Sequence, residues 1–216
     1  MKAKLILAAY FILTALSVYP LEIQAQEAIE LPVPQIQAGM PLMQALKERK
    51  TSREFSSREL SLSVLSDMLW AANGINRPDS GHRTAPSAMN MQEIDIYVAR
   101  ADGLYLYNAS ANTLVPVMPG DIRGLTGRQA FVKDAPVNLI YVADFSKTKK
   151  LSARDAEFYA AADTGFISQN VYLFCASSGL ATVVRGLIDK PALAETMKLR
   201  PEQKIIFAQT VGYPQD

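Results

Sequence analysis

The sequence predicts an α+β domain built on a mixed, mainly antiparallel sheet packed with helices. Three observations carry this. Apolar and polar residues alternate through Ile94-Asp95-Ile96-Tyr97-Val98 and again through Leu104-Tyr105-Leu106-Tyr107, the period of half-buried strands. Val137–Ala143 is a nearly continuous apolar run, which marks a central strand buried on both faces. The helical periods gather in groups between stretches of hairpin and sheet, a pattern that separates α+β from α/β.

Taken in order, residues 1–25 read as a secretory signal. Lys2 and Lys4 form the basic start, Leu5–Leu16 is an apolar run short for a bilayer span, and Ile23-Gln24-Ala25 offers a cleavage site before Gln26. An exported, periplasmic location and no stable membrane span after cleavage are expected. Residues 26–40 hold Pro32 and Pro34 without periodicity and read as an extended arm. The folded domain is assigned to residues 41–216. Pro41–Lys50 reads as a helix opened by proline. Ser61 caps a second helix, with Leu62, Leu65, Leu69 and Ala72 on one face, that ends at Asn73-Gly74. Asp102-Gly103 is a hairpin signal, and Thr113–Val117 adds a strand. Ala156–Ser178 is a long helix, apolar almost all round, in which Ala161, Ala162 and Gly165 permit close approach. Such a helix is buried on every side, in part by a second subunit. Ala181–Val184 and Ile205–Val211 complete the strands.

With 216 residues the chain is long enough for one domain with a real core, and its formal charge is only +1. Removing residues 1–25 takes away Lys2, Lys4 and Glu22 and leaves the charges balanced, which argues against nucleic acid as a partner. Cys175 is the sole cysteine and His82 the sole histidine. A structural zinc site, an intrachain disulfide and a Ser-His-Asp triad are therefore not expected, and no metal is assigned. Cys175, inside Val171-Tyr172-Leu173-Phe174-Cys175-Ala176, reads as a core thiol.

Three segments bear on chemistry. Arg49-Lys50-Thr51-Ser52-Arg53 packs three cations and two hydroxyls into five residues, the donors that suit a phosphate monoester; a solvated helix C-terminus is the plain alternative. Pro86-Ser87-Ala88-Met89-Asn90 is a stiff turn whose serine and amide can meet a heterocycle edge, and otherwise an ordinary loop. Gly179-Leu180-Ala181-Thr182-Val183-Val184-Arg185-Gly186 brings the chain from helix through strand to a glycine, where backbone N–H groups can approach a ligand closely.

In order and spacing these segments resemble the nitroreductase family of FMN-dependent oxidoreductases, over roughly residues 40 to 213. The family's Arg-Arg-Ser-x-Arg is met by Arg49–Arg53 with two conservative changes, its Pro-Ser-x-x-Asn by Pro86–Asn90, its Asp-Ala-Pro by Asp134-Ala135-Pro136, and its Gly-Leu helix exit by Gly179-Leu180. The compact C-terminus is similar to the short branch that includes azoline-oxidising domains. The resemblance implies an intertwined homodimer in which Arg49, Lys50, Thr51 and Arg53 hold the phosphate, ribityl chain and pyrimidine edge of FMN. It implies that Pro86, Ser87, Ala88 and Asn90 line the isoalloxazine from the other subunit, and that Val184, Arg185 and Gly186 pass the N5 edge with a backbone N–H. Gln129 is placed to reach the ring, with a surface amide as the alternative. The chemistry then resides on flavin N5, with no catalytic side chain. The activity implied is NAD(P)H-driven ping-pong reduction of a nitroaromatic or quinone. FMN-dependent oxidation of a small molecule or modified peptide is the second reading, and a non-catalytic flavin-binding dimer the third. Members of the family often carry a basic phosphate ligand in a tail beyond Gly-Tyr-Pro; here the sequence ends at Asp216, and Lys190 is a candidate substitute.

Overall fold

A computed structural model describes residues 27–215; the signal-like segment and its cleavage site lie outside the described residues. In chain order the elements are β1 (Ile29–Glu30), α1 (Leu42–Glu48), α2 (Leu62–Asn73), β2 (Ile75–Arg77), β3 (His82–Arg83), β4 (Ile94–Arg100), β5 (Gly103–Asn108), β6 (Thr113–Pro119), β7 (Val137–Asp144), α3 (Ala153–Ser177), β8 (Ala181–Arg185), α4 (Lys190–Thr196) and β9 (Gln203–Gly212). Seven strands make one sheet in the order β1-β6-β5-β4-β7-β9-β8, while β2 and β3, which includes His82, form a separate ribbon.

Each pairing in the large sheet is antiparallel, a correction to the mixed sheet expected. The cause is β9. It returns between β7 and β8, so the two strands that run the same way, joined through α3, never pair. The hairpin after Arg100 forms as predicted, with Arg100 opposite Gly103.

The sheet is covered on both faces. Leu139 and Tyr141 of β7 and Ile96 and Val98 of β4 meet Leu65, Met68 and Leu69 of α2 and Ile167, Val171 and Cys175 of α3. Ile140 and Val142 point the other way, onto Leu193 of α4 and Met197 beyond it. Both sides of β7 are thus dry, which is why its apolar run is unbroken.

Three local expectations change. Ser61 does cap α2, accepting from Val64 N–H at 3.3 Å, but Leu62 stays exposed and Met68 fills the core instead. Helix α3 starts at Ala153, capped by Ser152, and is not covered on every side. Phe158, Tyr159 and Phe166 are exposed, as are Ala161 and Gly165. The segment before α1 turns at Ile36-Gln37 and is pinned: β1 pairs with β6, and Met40 N–H reaches Ser177 Oγ at 2.7 Å.

Gly212 sits where β9 passes Pro136 and Phe55, and a Cβ there would lie 2.8 Å from Pro136 Cδ and 3.4 Å from Phe55 Cδ1. Neither ring swings away freely. Gly212→Ala is expected to lower unfolding stability by about 1–3 kcal/mol, the usual range for overpacking, as read from the midpoint of a urea titration.

Candidate active site

Strand β8 is the last in the sheet, so only one of its edges is paired with β9. An edge strand leaves backbone donors and acceptors unmatched on its outer side. Here they are matched by two neighbours. Thr182 C=O accepts from Ser52 N–H at 3.0 Å, and Val184 N–H donates to the Tyr172 hydroxyl at 3.0 Å. By the alternation of a strand, the next backbone N–H on this edge belongs to Gly186, an exposed residue.

Tyr172, on α3, also fixes the basic segment. Its hydroxyl lies 3.1 Å from Thr51 Oγ1, and the Arg49 guanidinium stands 5.3 Å from the ring centroid. Arg49 ends α1: its N–H still bonds Ala45 C=O, but its ψ of 119° turns the chain out into an extended run. Phe55, bridged to Pro214 and stacked on Phe131 with centroids 5.4 Å apart, anchors the far end of that run.

Lys50, Ser52 and Glu54 line a cleft of about 550 Å³ together with Gln44, Glu48 and Thr182. Arg49 and Thr51 meet Tyr172, which lines the same cleft. None of Arg49, Lys50 and Arg53 pairs with a carboxylate among the described residues. Lys190 opens α4, beyond the Arg185 end of β8, whereas the basic segment meets β8 at Thr182.

Within Pro86–Asn90, Ala88–Asn90 forms a single 3-10 turn with unusual backbone. Met89, Asn90 and Gln92 have φ of 50°, 54° and 49°. Left-handed conformations cost a non-glycine residue about 1–2 kcal/mol each and persist only when neighbours impose them. Here Ala88 N–H donates to Asp163 Oδ2 at 2.9 Å, Gln92 N–H to Ser87 Oγ at 3.0 Å, and Gln92 Nε2 to Asn90 Oδ1 at 3.0 Å. Such local strain is characteristic of binding sites.

The Arg185 side chain faces the interior, which leaves its expected backbone role untouched. Its guanidinium is buried, donating to Thr210 Oγ1 (3.0 Å), Thr126 C=O (2.7 Å) and Asn138 Oδ1 (2.8 Å), with no carboxylate beside it. Desolvation lowers its pKa to about 10. Only the backbone of Arg185 remains for a ligand. Gln129 lies in the same region, against Gly127 and the Arg185 guanidinium, and its Oε1 is buried with no donor.

Helix α3 carries both halves of this constellation, Tyr172 under the basic segment and Asp163 under the Pro86–Asn90 turn. They stand nine positions apart, about 13.5 Å at the rise of an α-helix. Along the same helix Phe158, Ala161, Gly165 and Phe166 are exposed and Ala162 is half-buried, spaced to share one face. A Cβ at Gly165 would meet nothing within 4 Å. On α1, Leu42 and Met43 are also exposed, at 62 % and 76 %.

Tyr172→Phe removes one hydroxyl and leaves the Val184 N–H without its acceptor. A loss of about 1–3 kcal/mol is expected from an orphaned backbone donor, measured by chemical denaturation.

The comparisons agree with this geometry. The family described as the nitroreductase family matches residues 46–213. A candidate nitroreductase of Methanocaldococcus jannaschii is 29% identical over 184 residues, covering 81% of this chain and 92% of that one. The crystal structure of a candidate nitroreductase from Ralstonia eutropha superposes with a TM-score of 0.85 at 41% identity, over 89% of this chain and 92% of the other. A candidate nitroreductase from Desulfovibrio desulfuricans, solved in complex with FMN, shares the fold at a TM-score of 0.60 and 22% identity, covering 82% of this chain and 88% of its own. A match that runs from α1 to the end of β9, over the same segments that assemble on α3 and β8, places this chain in the nitroreductase family of oxidoreductases.

Proposed function

We propose that the protein is an FMN-dependent reductase that works as a homodimer, taking electrons from NAD(P)H and passing them to a planar acceptor such as a nitroaromatic or quinone. The observation that carries this reading is the Tyr172 junction. One hydroxyl ties the Arg49–Arg53 segment to the outer edge of β8, so cations and a strand-edge N–H lie along one open face.

The donor set suits FMN. Arg49 and Arg53 bring two guanidinium forks without carboxylate partners, and Thr51 adds a neutral hydroxyl, as a phosphate monoester requires. Gln129 Oε1 is a buried acceptor that lacks a donor, the kind of group a heterocycle N–H satisfies. When bound, FMN supplies two-electron hydride exchange at N5. The protein's share is positioning: Arg49 and Arg53 neutralise the phosphate, Gly186 offers its N–H, and the Pro86–Asn90 turn closes one side and excludes water.

A second copy completes the site. The turn and the basic segment are fixed to separate stretches of α3, so one chain leaves each half open. The exposed apolar stripe of α3, with small residues at its centre, gives a partner helix a surface for close approach. An exported location, expected from residues 1–25, belongs to the same reading.

Added FMN is expected to bind and colour the purified protein yellow, and NADH to bleach it. Arg53→Ala should weaken FMN binding at least tenfold, since a charge-assisted hydrogen bond contributes about 1.5–3 kcal/mol. A fluorescence titration showing unchanged affinity removes Arg53 from the site. For assembly, Phe166→Asp should give a monomer by light scattering that has lost FMN affinity. A monomer that retains tight binding overturns the shared site.

A further inference from the structure

Glu93, just before β4, is 0 % exposed, yet neither of its carboxyl oxygens has a hydrogen-bond partner. The charged groups around it come from three elements. Asp163 of α3, itself 2 % exposed, faces it directly. Lys147, from the turn after β7, is also near, but its Nζ is held by Asp95 Oδ1 at 2.9 Å and Gln92 C=O at 3.2 Å. Arg83 of β3 is occupied by Gln92 Oε1 at 2.8 Å and Asn73 C=O at 3.0 Å. No cation pairs with Glu93 among the described residues.

Two carboxylates side by side in a dry site resist ionising together, so the pair retains one proton until the pH passes the raised pKa of one of them. The rest of the geometry says which member holds it. Asp163 Oδ2 accepts the Ala88 N–H at 2.9 Å, so this oxygen is already used as an acceptor. The backbone donor facing Glu93 is its own N–H, which makes no bond of good geometry to either carboxyl oxygen, and Glu93 takes the proton. As a neutral acid it has an O–H to donate to Asp163, which satisfies one of its otherwise unmatched oxygens. Burial first, then the neighbouring Asp163, raise the Glu93 pKa to about 7.

We propose that Glu93 is a positioning residue: the proton it shares with Asp163 holds the Asp163 carboxylate against Ala88 N–H and so maintains the left-handed Pro86–Asn90 turn in its flavin-facing shape. The flavin clause rests on the function proposed above; the proton and the turn do not. The sign follows from linkage. A carboxyl whose folded pKa is raised contributes stability that is complete below its unfolded value, falls as pH rises toward 7, and is gone above it. Ionised Glu93 then repels Asp163 and loosens its hold on Ala88.

The test uses the mature chain, without and with FMN, at pH 6 and pH 8.5. Without flavin, an infrared band of a buried protonated carboxyl should be present in the wild type at pH 6, vanish by pH 8.5, and be missing in Glu93→Gln. Protection of the Ala88 amide against hydrogen exchange should fall roughly tenfold over the same interval in the wild type and stay level in Glu93→Gln, whose amide always donates. Asp163→Asn should also be level, because it keeps an acceptor for Ala88 and offers a donor to ionised Glu93; it carries the test if Glu93→Gln fails to fold. With flavin, FMN affinity should weaken with pH more steeply in the wild type than in either variant. A carboxyl band that survives in Glu93→Gln, or identical Ala88 protection profiles in wild type and variants, overturns the inference. Failure to bind FMN at any pH overturns the proposed function instead, and the flavin-free measurements still decide the role of the proton.

Discussion

An outermost strand cannot leave its free edge bare, and the way β8 meets that demand organises the rest of the site. Its inner edge is matched by β9. Its outer edge is closed by a segment that is not a strand of the sheet and by one phenolic hydroxyl from the helix beneath. The closure is incomplete by design of the spacing, since Ser52 and Tyr172 account for Thr182 and Val184 and the edge then runs on to exposed Gly186. Three cations are concentrated on the segment that performs this capping, so the same hydrogen bonds that finish the sheet also present the charge.

Two further features hold the surroundings in unfavourable states. The buried Arg185 guanidinium is surrounded by neutral oxygens rather than by an anion, and its bonds to Thr126, Asn138 and Thr210 pin the loop after β6 to two central strands. Gly127 has no side chain because the guanidinium occupies the place where a Cβ would stand. On the other side of the site, a turn with left-handed residues is anchored through its backbone to an acid on α3. In both cases polar groups in the interior impose loop shapes that local propensity would not choose.

Much of this was legible in the residues. The β4–β5 hairpin, the dry β7 run, the Ser61 cap and the order of the four family motifs all follow from local pattern. What escaped was set by tertiary partners. Tyr172 sits in an apolar helical run and reads as core; only the position of β8 at the sheet edge gives its hydroxyl a task. Glu93 reads as a charge flanking a strand, and its isolation becomes apparent only when α3 crosses above it. Arg185 lies next to the expected N5 edge in sequence, but strand alternation turns its side chain to the opposite side. Helix α4 was not anticipated, because seven residues that include Pro191 carry little periodic signal. β1, two residues long, depends wholly on β6. The antiparallel sheet depended on where β9 inserts, which no local pattern encodes.

Helix α3 is a single rigid rod that serves one half-site near Asp163 and another near Tyr172. If copies pair as proposed, each rod reaches into two flavin pockets, and every pocket draws on two copies of one gene's product. Two lesions within that one gene then complement each other: a chain defective only in its basic segment and a chain defective only in its turn would, when mixed, rebuild one whole pocket in each hybrid pair and leave the other doubly broken.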